Sequence, residues 1–193
     1  KKNYFYTDKK NKIKIKTKYI YSNGLLENLT MAIKIALSFK ISKKIIENTI
    51  PKIRFAGRIE YITKGKIYNK LNKNEKFLVD VCHSKVSAKN LSDYLKTLKI
   101  PKYGIWGMTK NKDPVSFIKQ FKGIFKKIIT VPIERESKSI SNKLLYEIGK
   151  KNGFDIEHAK RFEDALNKII SKEKKVICVF GSLYLCGNVL GKN

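Results

Sequence analysis

Four short apolar runs, each followed by a stretch with helical spacing, constrain this chain most. They are residues 77–81 (Phe-Leu-Val-Asp-Val), 103–108, 127–131 and 176–180 (Val-Ile-Cys-Val-Phe). Runs of about five residues without polar alternation suit strands buried on both faces. Between and after them, residues 90–98, 113–121, 141–151 and 157–171 repeat apolar side chains at helical period. In the last of these, Ala159, Phe162, Ala165, Leu166 and Ile169 share one face. Strands alternating with helices predict an α/β fold with a mostly parallel sheet flanked by helices. Ligands of such sheets bind beyond the carboxyl ends of the strands. Asp80, Lys112 and Ser182 each follow a predicted strand on that side.

The first quarter reads differently. Residues 9–21 alternate lysine with β-branched and aromatic residues, which predicts a half-exposed strand blunted by lysine. Asn23-Gly24 is a turn signal. Residues 25–39 carry Leu29, Ala32, Ile33, Ala36 and Leu37 at helical spacing, and Ser42 can cap a second helix over 43–50 that Pro51 stops. Residues 57–64 read as a strand, and Gly181-Ser182 opens a last helix over 183–190. The reading divides the chain into residues 1–50, the tail of one domain, and 51–193, a second domain.

The formal net charge is +27, from 43 Lys and Arg against 16 Asp and Glu. Clustered cations suit nucleic acid. Only Arg54, Arg58, Arg135 and Arg161 supply the guanidinium that base edges and phosphates favour, however, and the lysines are spread along the chain. With abundant Ile and Asn, that pattern reads as codon bias, so nucleic acid is disfavoured as a partner. Attraction for anionic ligands survives either way. Cys82, Cys178 and Cys186 form no Cys-x-x-Cys pair and fit a reducing cytoplasm. With only His83 and His158 beside them, no metal site is expected. No apolar run reaches the roughly 18 residues of a membrane span. The sequence opens on Lys1 without a methionine, as a chain that begins mid-gene would.

Four places can carry chemistry. Asp80 in Asp-Val-Cys-His-Ser ends a strand, where a carboxylate can accept from a ribose and His83 can meet a charged group; a turn cap and a surface histidine fit equally. Arg58 in Gly-Arg-Ile-Glu can fork onto a phosphate, or form an exposed pair with Glu60. Lys112 and Asp113 occupy a strand-to-helix loop that suits phosphate, or a plain helix start. Ser182 opens a helix whose backbone N–H groups can hold an anion, or simply caps it. Trp106 reads as core. No phosphate loop, Gly-x-Gly-x-x-Gly or Gly-x-Ser-x-Gly occurs.

The order of these motifs carries more than any one of them. Glu-Asn-Leu-Thr-Met-Ala with Asn28 comes first, then Gly-Arg-Ile-Glu, Val-Asp-Val-Cys-His-Ser, Asn-Lys-Asp and Val-Phe-Gly-Ser-Leu-Tyr-Leu-Cys-Gly. From about residue 23 to 190 this series resembles the C-terminal portion of the folylpolyglutamate synthase/dihydrofolate synthase family of Mur-type ligases. The resemblance implies a Rossmann-like Mur ligase C-terminal domain over 51–193, preceded by the tail of the central domain. It implies ATP-dependent ligation of glutamate to a folate or pteroate through an acyl phosphate. It places Asn28, Arg58 and Asp80 at ATP, near adenine, phosphates and ribose respectively. It places His83 and Ser182 at glutamate, and leaves Lys112 and Asp113 without an assigned role.

The sequence departs from the family at Val81, Cys82 and Ser84, where Gly, Ala and Asn are expected. It departs again at Gly24 and Leu25, in place of a His-Gln pair. The family's phosphate loop, magnesium ligands and modified lysine belong to an N-terminal half with no counterpart here. ATP and Mg²⁺ are therefore implied cofactors, the isolated chain is expected to be inactive, and a separate N-terminal half is an expected partner. The rival reading is a non-catalytic basic module that binds nucleic acid or another polyanion.

Overall fold

The alternating residues near the start fold as a hairpin. In this computed structural model, which describes residues 4–17 and 19–193, β1 (Tyr4–Thr7) pairs antiparallel with β2 (Lys12–Ile15). The sequence predicted one strand over 9–21. Among the described residues of that range the strand is the shorter β2, and Asp8 closes the turn before it: its Oδ1 accepts from the backbone N–H of Lys10 and Asn11, both at 2.8 Å. Helix α1 (Asn23–Ser38) takes in the Asn23-Gly24 pair that read as a turn, because Ser22 is the cap and its hydroxyl accepts from Leu25 N. Helix α2 (Lys43–Thr49) follows, capped by Ser42 as expected, and passes into a 3₁₀ turn, Ile50–Lys52, that contains Pro51. Tyr6, Ile13, Ile15, Ile20, Leu29, Ile33, Ile46 and Ile50 make the core of this unit. The chain divides into two compact units at Ala56/Gly57.

The second unit opens with β3 (Glu60–Ile62), then β4 (Glu75–Asp80), α3 (Lys85–Lys96), β5 (Lys102–Trp106), α4 (Pro114–Lys119), β6 (Lys127–Thr130) and α5 (Asn142–Lys151). It closes with β7 (Ile156–His158), α6 (Phe162–Ile169), β8 (Lys175–Phe180) and α7 (Leu183–Lys192). The sheet runs β3-β4-β8-β5-β6-β7, with β3 antiparallel and the other five strands parallel. The segment 157–171 had read as one helix. Its start is β7, a three-residue strand against β6, too short to show a period of its own.

Side-chain alternation sorts the core into two layers. Leu78, Cys178, Phe180 and Ile128 face α3, α4 and α5 through Leu91, Phe117 and Leu145. Phe77, Val79, Ile177 and Ile129 face α6 and α7 through Leu166 and Val189. Trp106 is fully buried in the first layer, stacked on Phe117. Among the described residues, no helix is long and apolar enough to cross a membrane.

Candidate functional site

The connections give the site its place. Central strand β8 lies between β4 and β5. The helices after β4 and β5 go to one face of the sheet, and α7, after β8, goes to the other. Adjacent strands whose following loops part in this way open a crevice at the carboxyl edge. Asp80, Phe180 and Trp106 stand in one row across β4, β8 and β5, so the loops at 81–84, 107–113 and 181–182 begin side by side.

Asp80 ends β4 and is only 4% exposed. Its Oδ1 accepts from Cys82 N at 2.8 Å, and its Oδ2 from Ile59 N at 2.9 Å. Burial pushes its pKa above the usual carboxylate range, against the pull of those two N–H groups and of the Arg58 charge. Each oxygen takes one backbone N–H, which leaves each a further lone pair for the ribose contact read from the sequence. The alternative, a carboxylate organising its own turn, describes half of what it does. The other half is a tie to the loop 57–60, which the sequence did not disclose.

That loop lies on the end of β4. Val81 N donates to Gly57 O at 2.7 Å, and Gly57 N donates to Glu60 Oε2 at 2.6 Å. Gly57 has φ +67°, and a Cβ there would sit 2.6 Å from Val81 Cγ1, so the side chain of Val81 fills the space that glycine leaves open. Ile59 has φ +48°, a left-handed conformation that costs a β-branched residue on the order of 1–2 kcal/mol. Arg58, between them, is half-buried, and among the described residues no acidic side chain forms an ion pair with it. The exposed Arg58–Glu60 pair considered from the sequence does not form; Glu60 turns to Gly57 N.

His83 is half-buried, and its Nδ1 lies 3.1 Å from Val81 O. A carbonyl can only accept, so Nδ1 carries a proton. Ser84 caps α3 through a reciprocal pair with Ser87. Cys82, Cys178 and Cys186 are all buried, and burial raises each thiol above its ordinary pKa. Cys186 Sγ donates to Asp80 O at 3.4 Å, which ties α7 to the end of β4.

Ser182 is 2% exposed and caps α7, its Oγ accepting from Tyr184 N at 3.1 Å. Gly181 before it has φ +110°, and a Cβ would lie 2.5 Å from Gly107 O and 2.6 Å from Trp106 Cδ1. Gly181, at the end of β8, is therefore pressed against the end of β5. Asp113 caps α4, accepting from Val115 and Ser116 N at 3.0 and 3.1 Å, and hydrogen bonding to Ser116 lowers its pKa. That is the helix-start role. Lys112 N donates to Thr109 O in the same loop.

The structure thus ties the loop that carries Arg58 to Asp80 and Val81 at the end of β4, with His83 held to Val81 O, Ser182 just past the neighbouring strand β8 and Lys112-Asp113 past β5. Asn28 is exposed on α1 in the other unit. An unpaired guanidinium fits a phosphate or carboxylate ligand. A divalent cation finds no such fit. Among the described residues no group of three His, Cys, Asp or Glu is placed to hold one.

Residues 63–192 match a family model described as the C-terminal domain of dihydrofolate synthetase. No curated protein sequence matches. Similar solved structures include folylpolyglutamate synthase from Thermotoga maritima, at 22% identity and TM-score 0.73, with 94% of this chain and 41% of that one covered. E. coli FolC in complex with ADP, without folate substrate, is 18% identical at TM-score 0.69, over 84% and 37%. The bifunctional folylpolyglutamate synthase/dihydrofolate synthase of Yersinia pestis CO92 is 14% identical at TM-score 0.76, over 97% and 43%. The chain spans about two-fifths of the length of these proteins, and at such identities the likeness shows the fold.

Proposed function

The chain belongs to the dihydrofolate synthetase C-terminal-domain family, and from that premise we propose that it is the glutamate-handling portion of a folylpolyglutamate/dihydrofolate synthase. The whole enzyme would use ATP to convert a folate or pteroate carboxyl into an acyl phosphate, which the amine of glutamate then attacks. In this chain, Arg58 would take phosphate oxygens, His83 and Ser182 the glutamate, and Asn28 the adenine. Residues 1–50 would be the tail of the central domain. The observation that carries the reading is the unpaired Arg58 at the carboxyl edge of the sheet, near enough to Asp80 for its charge to act on the carboxyl. At that edge, Ser182 provides a helix N-terminus that favours negative charge.

The residues at hand hold anions and do not clamp a γ-phosphate. Positioning and charge neutralisation make up most of phosphoryl-transfer catalysis, so the isolated chain is expected to turn nothing over. Magnesium ligands would come from polypeptide outside these 193 residues. The test is release of phosphate and incorporation of glutamate by the purified chain with MgATP and either dihydropteroate or tetrahydrofolate. Turnover above background would contradict the need for that other portion.

The net charge of +27 favours a second reading, a basic module for polyanions. It predicts binding to any polyanion, falling steeply with salt.

A further inference from the structure

We propose that the amino edge of the sheet carries a ligand site of its own, a groove between the segments that lead into β5 and β6, and that it takes a phosphate monoester on a flat apolar body. The proposal does not rest on the ligase reading.

Strands β5 and β6 are parallel neighbours, so the segments entering them, 98–102 and 123–126, lie side by side. Between them is a cavity of about 470 Å³, a size that suits a small molecule. Its walls are tied to the sheet and to each other. Lys126 N donates to Lys102 O at 2.8 Å, and Val176 N donates to Pro101 O at 2.9 Å. Ile100, Pro101 and half-buried Phe125 give it apolar surface. Phe125 is itself held by stacking on Phe180, with ring centroids 4.9 Å apart.

The charges in this groove are unbalanced. Neighbouring lysines at the same edge have carboxylates: Lys126 has Glu173 at 3.0 Å, Lys127 has Glu157 at 2.8 Å, and Lys175 has Glu75 at 3.3 Å. Lys99 and Lys102 line the groove, and among the described residues neither forms an ion pair with an acid. Lys102 is half-buried at the start of β5, its Nζ donating to Leu98 O at 2.9 Å. Burial, and then the charge of Lys99, lower its pKa. Two cations that repel each other with no carboxylate between them are relieved by a dianion. The backbone N–H groups of Lys99, Ile100, Gly123 and Phe125, which have no hydrogen-bond partner among the described residues, add donors along the same walls. A phosphate monoester carries about −1.5 to −2 charges at neutral pH, which matches the lysine pair, and an attached ring meets Ile100, Pro101 and Phe125.

The test is an NMR titration of the full chain with phenyl phosphate, with Kd values from calorimetry. Amide shifts should centre on 98–102 and 123–126 and saturate at one site. Inorganic phosphate, which lacks the ring, and benzoate, which has a single charge, should each bind at least fivefold more weakly, and benzyl alcohol should leave those amides unmoved. Lys99→Gln with Lys102→Gln should weaken phenyl phosphate at least tenfold. Lys99→Gln alone, an exposed change that keeps the Lys102 contact to Leu98 O, should weaken it about threefold. Lys143→Gln with Lys151→Gln, which removes the same charge from α5, should change it less than twofold. Equal weakening by the two double variants would reduce the groove to bulk charge and overturn the proposal. So would shifts centred on the carboxyl edge at 57–60 or 181–185, a comparison probe that binds as tightly as phenyl phosphate, or no saturable binding.

Discussion

The two units of the chain are built from the same lysine-rich, isoleucine-rich alphabet and end differently. In the second, helices cover both faces of a six-stranded sheet, and every residue of β8 and all of β4 but Lys76 are buried. In the first, a two-stranded hairpin and two helices leave apolar surface open. Met31 and Ile35 on α1 and Phe39 at its C-cap are 65%, 51% and 76% exposed. An apolar groove of about 210 Å³ between α1 and α2 runs past Ala32, Ala36 and Ile45. Hydrophobic pattern alone therefore does not close a core. A hairpin is marginal without a further layer, and small units bury a smaller fraction of their surface.

The largest effect that would sharpen this contrast lies at the amino ends of β4 and β8. Lys175 and Glu75 are register partners there, fully buried, with Nζ 3.3 Å from Oε1. Glu75→Ala strands the ammonium and should cost about 3–5 kcal/mol in chemical denaturation. A loss under about 1 kcal/mol would mean that the second unit is looser than its packing implies.

Acid should separate the units next. Asp8 is exposed, and backbone N–H bonds from Lys10, helped by Tyr6 and Asn11, lower its pKa to about 2. Its folded value lies below its unfolded one, so what it adds to the hairpin is present above about pH 4 and fades as pH falls through 2. Asp80 is the reverse case. Burial raises its folded value, so its contribution is complete below the unfolded pKa and is lost as pH rises through the folded one. A carboxyl NMR titration should find Asp8 and Asp80 moved to opposite sides of the ordinary aspartate range; both on one side would break the comparison.

Phe39→Ser should be the mildest change, within about 0.5 kcal/mol in stability, because the ring is already in water. Lower aggregation in light scattering is the expected gain. A loss of several kcal/mol would show that the α1 stripe is covered in the isolated chain.

The sequence disclosed some of this fold well. Runs such as residues 176–180 announced central strands because burial on both faces leaves no polar alternation to misread. Ser42 and Asp113 sat where helices begin, and Trp106 went to the core. Where side chains act on distant backbone, the sequence was silent. Asp8 folded its turn with an unremarked carboxylate, and Ser22 rather than Asn23-Gly24 marked the start of α1. No pattern announces that an isoleucine at 59 will adopt a left-handed backbone, so the bridge from Asp80 to the loop could not be read. The order of motifs pointed to the candidate residues; only coordinates say which of them have free atoms.

The central claim is that the carboxyl edge of the sheet selects a nucleotide rather than any polyanion. Calorimetric titration of the full chain with MgATP and with a mixed-sequence oligonucleotide, each at 50 and 300 mM salt, tests it directly. The account predicts saturable one-site MgATP binding that survives the higher salt and weakens with Arg58→Gln. Binding confined to the oligonucleotide, lost at 300 mM salt and indifferent to Arg58→Gln, would contradict it.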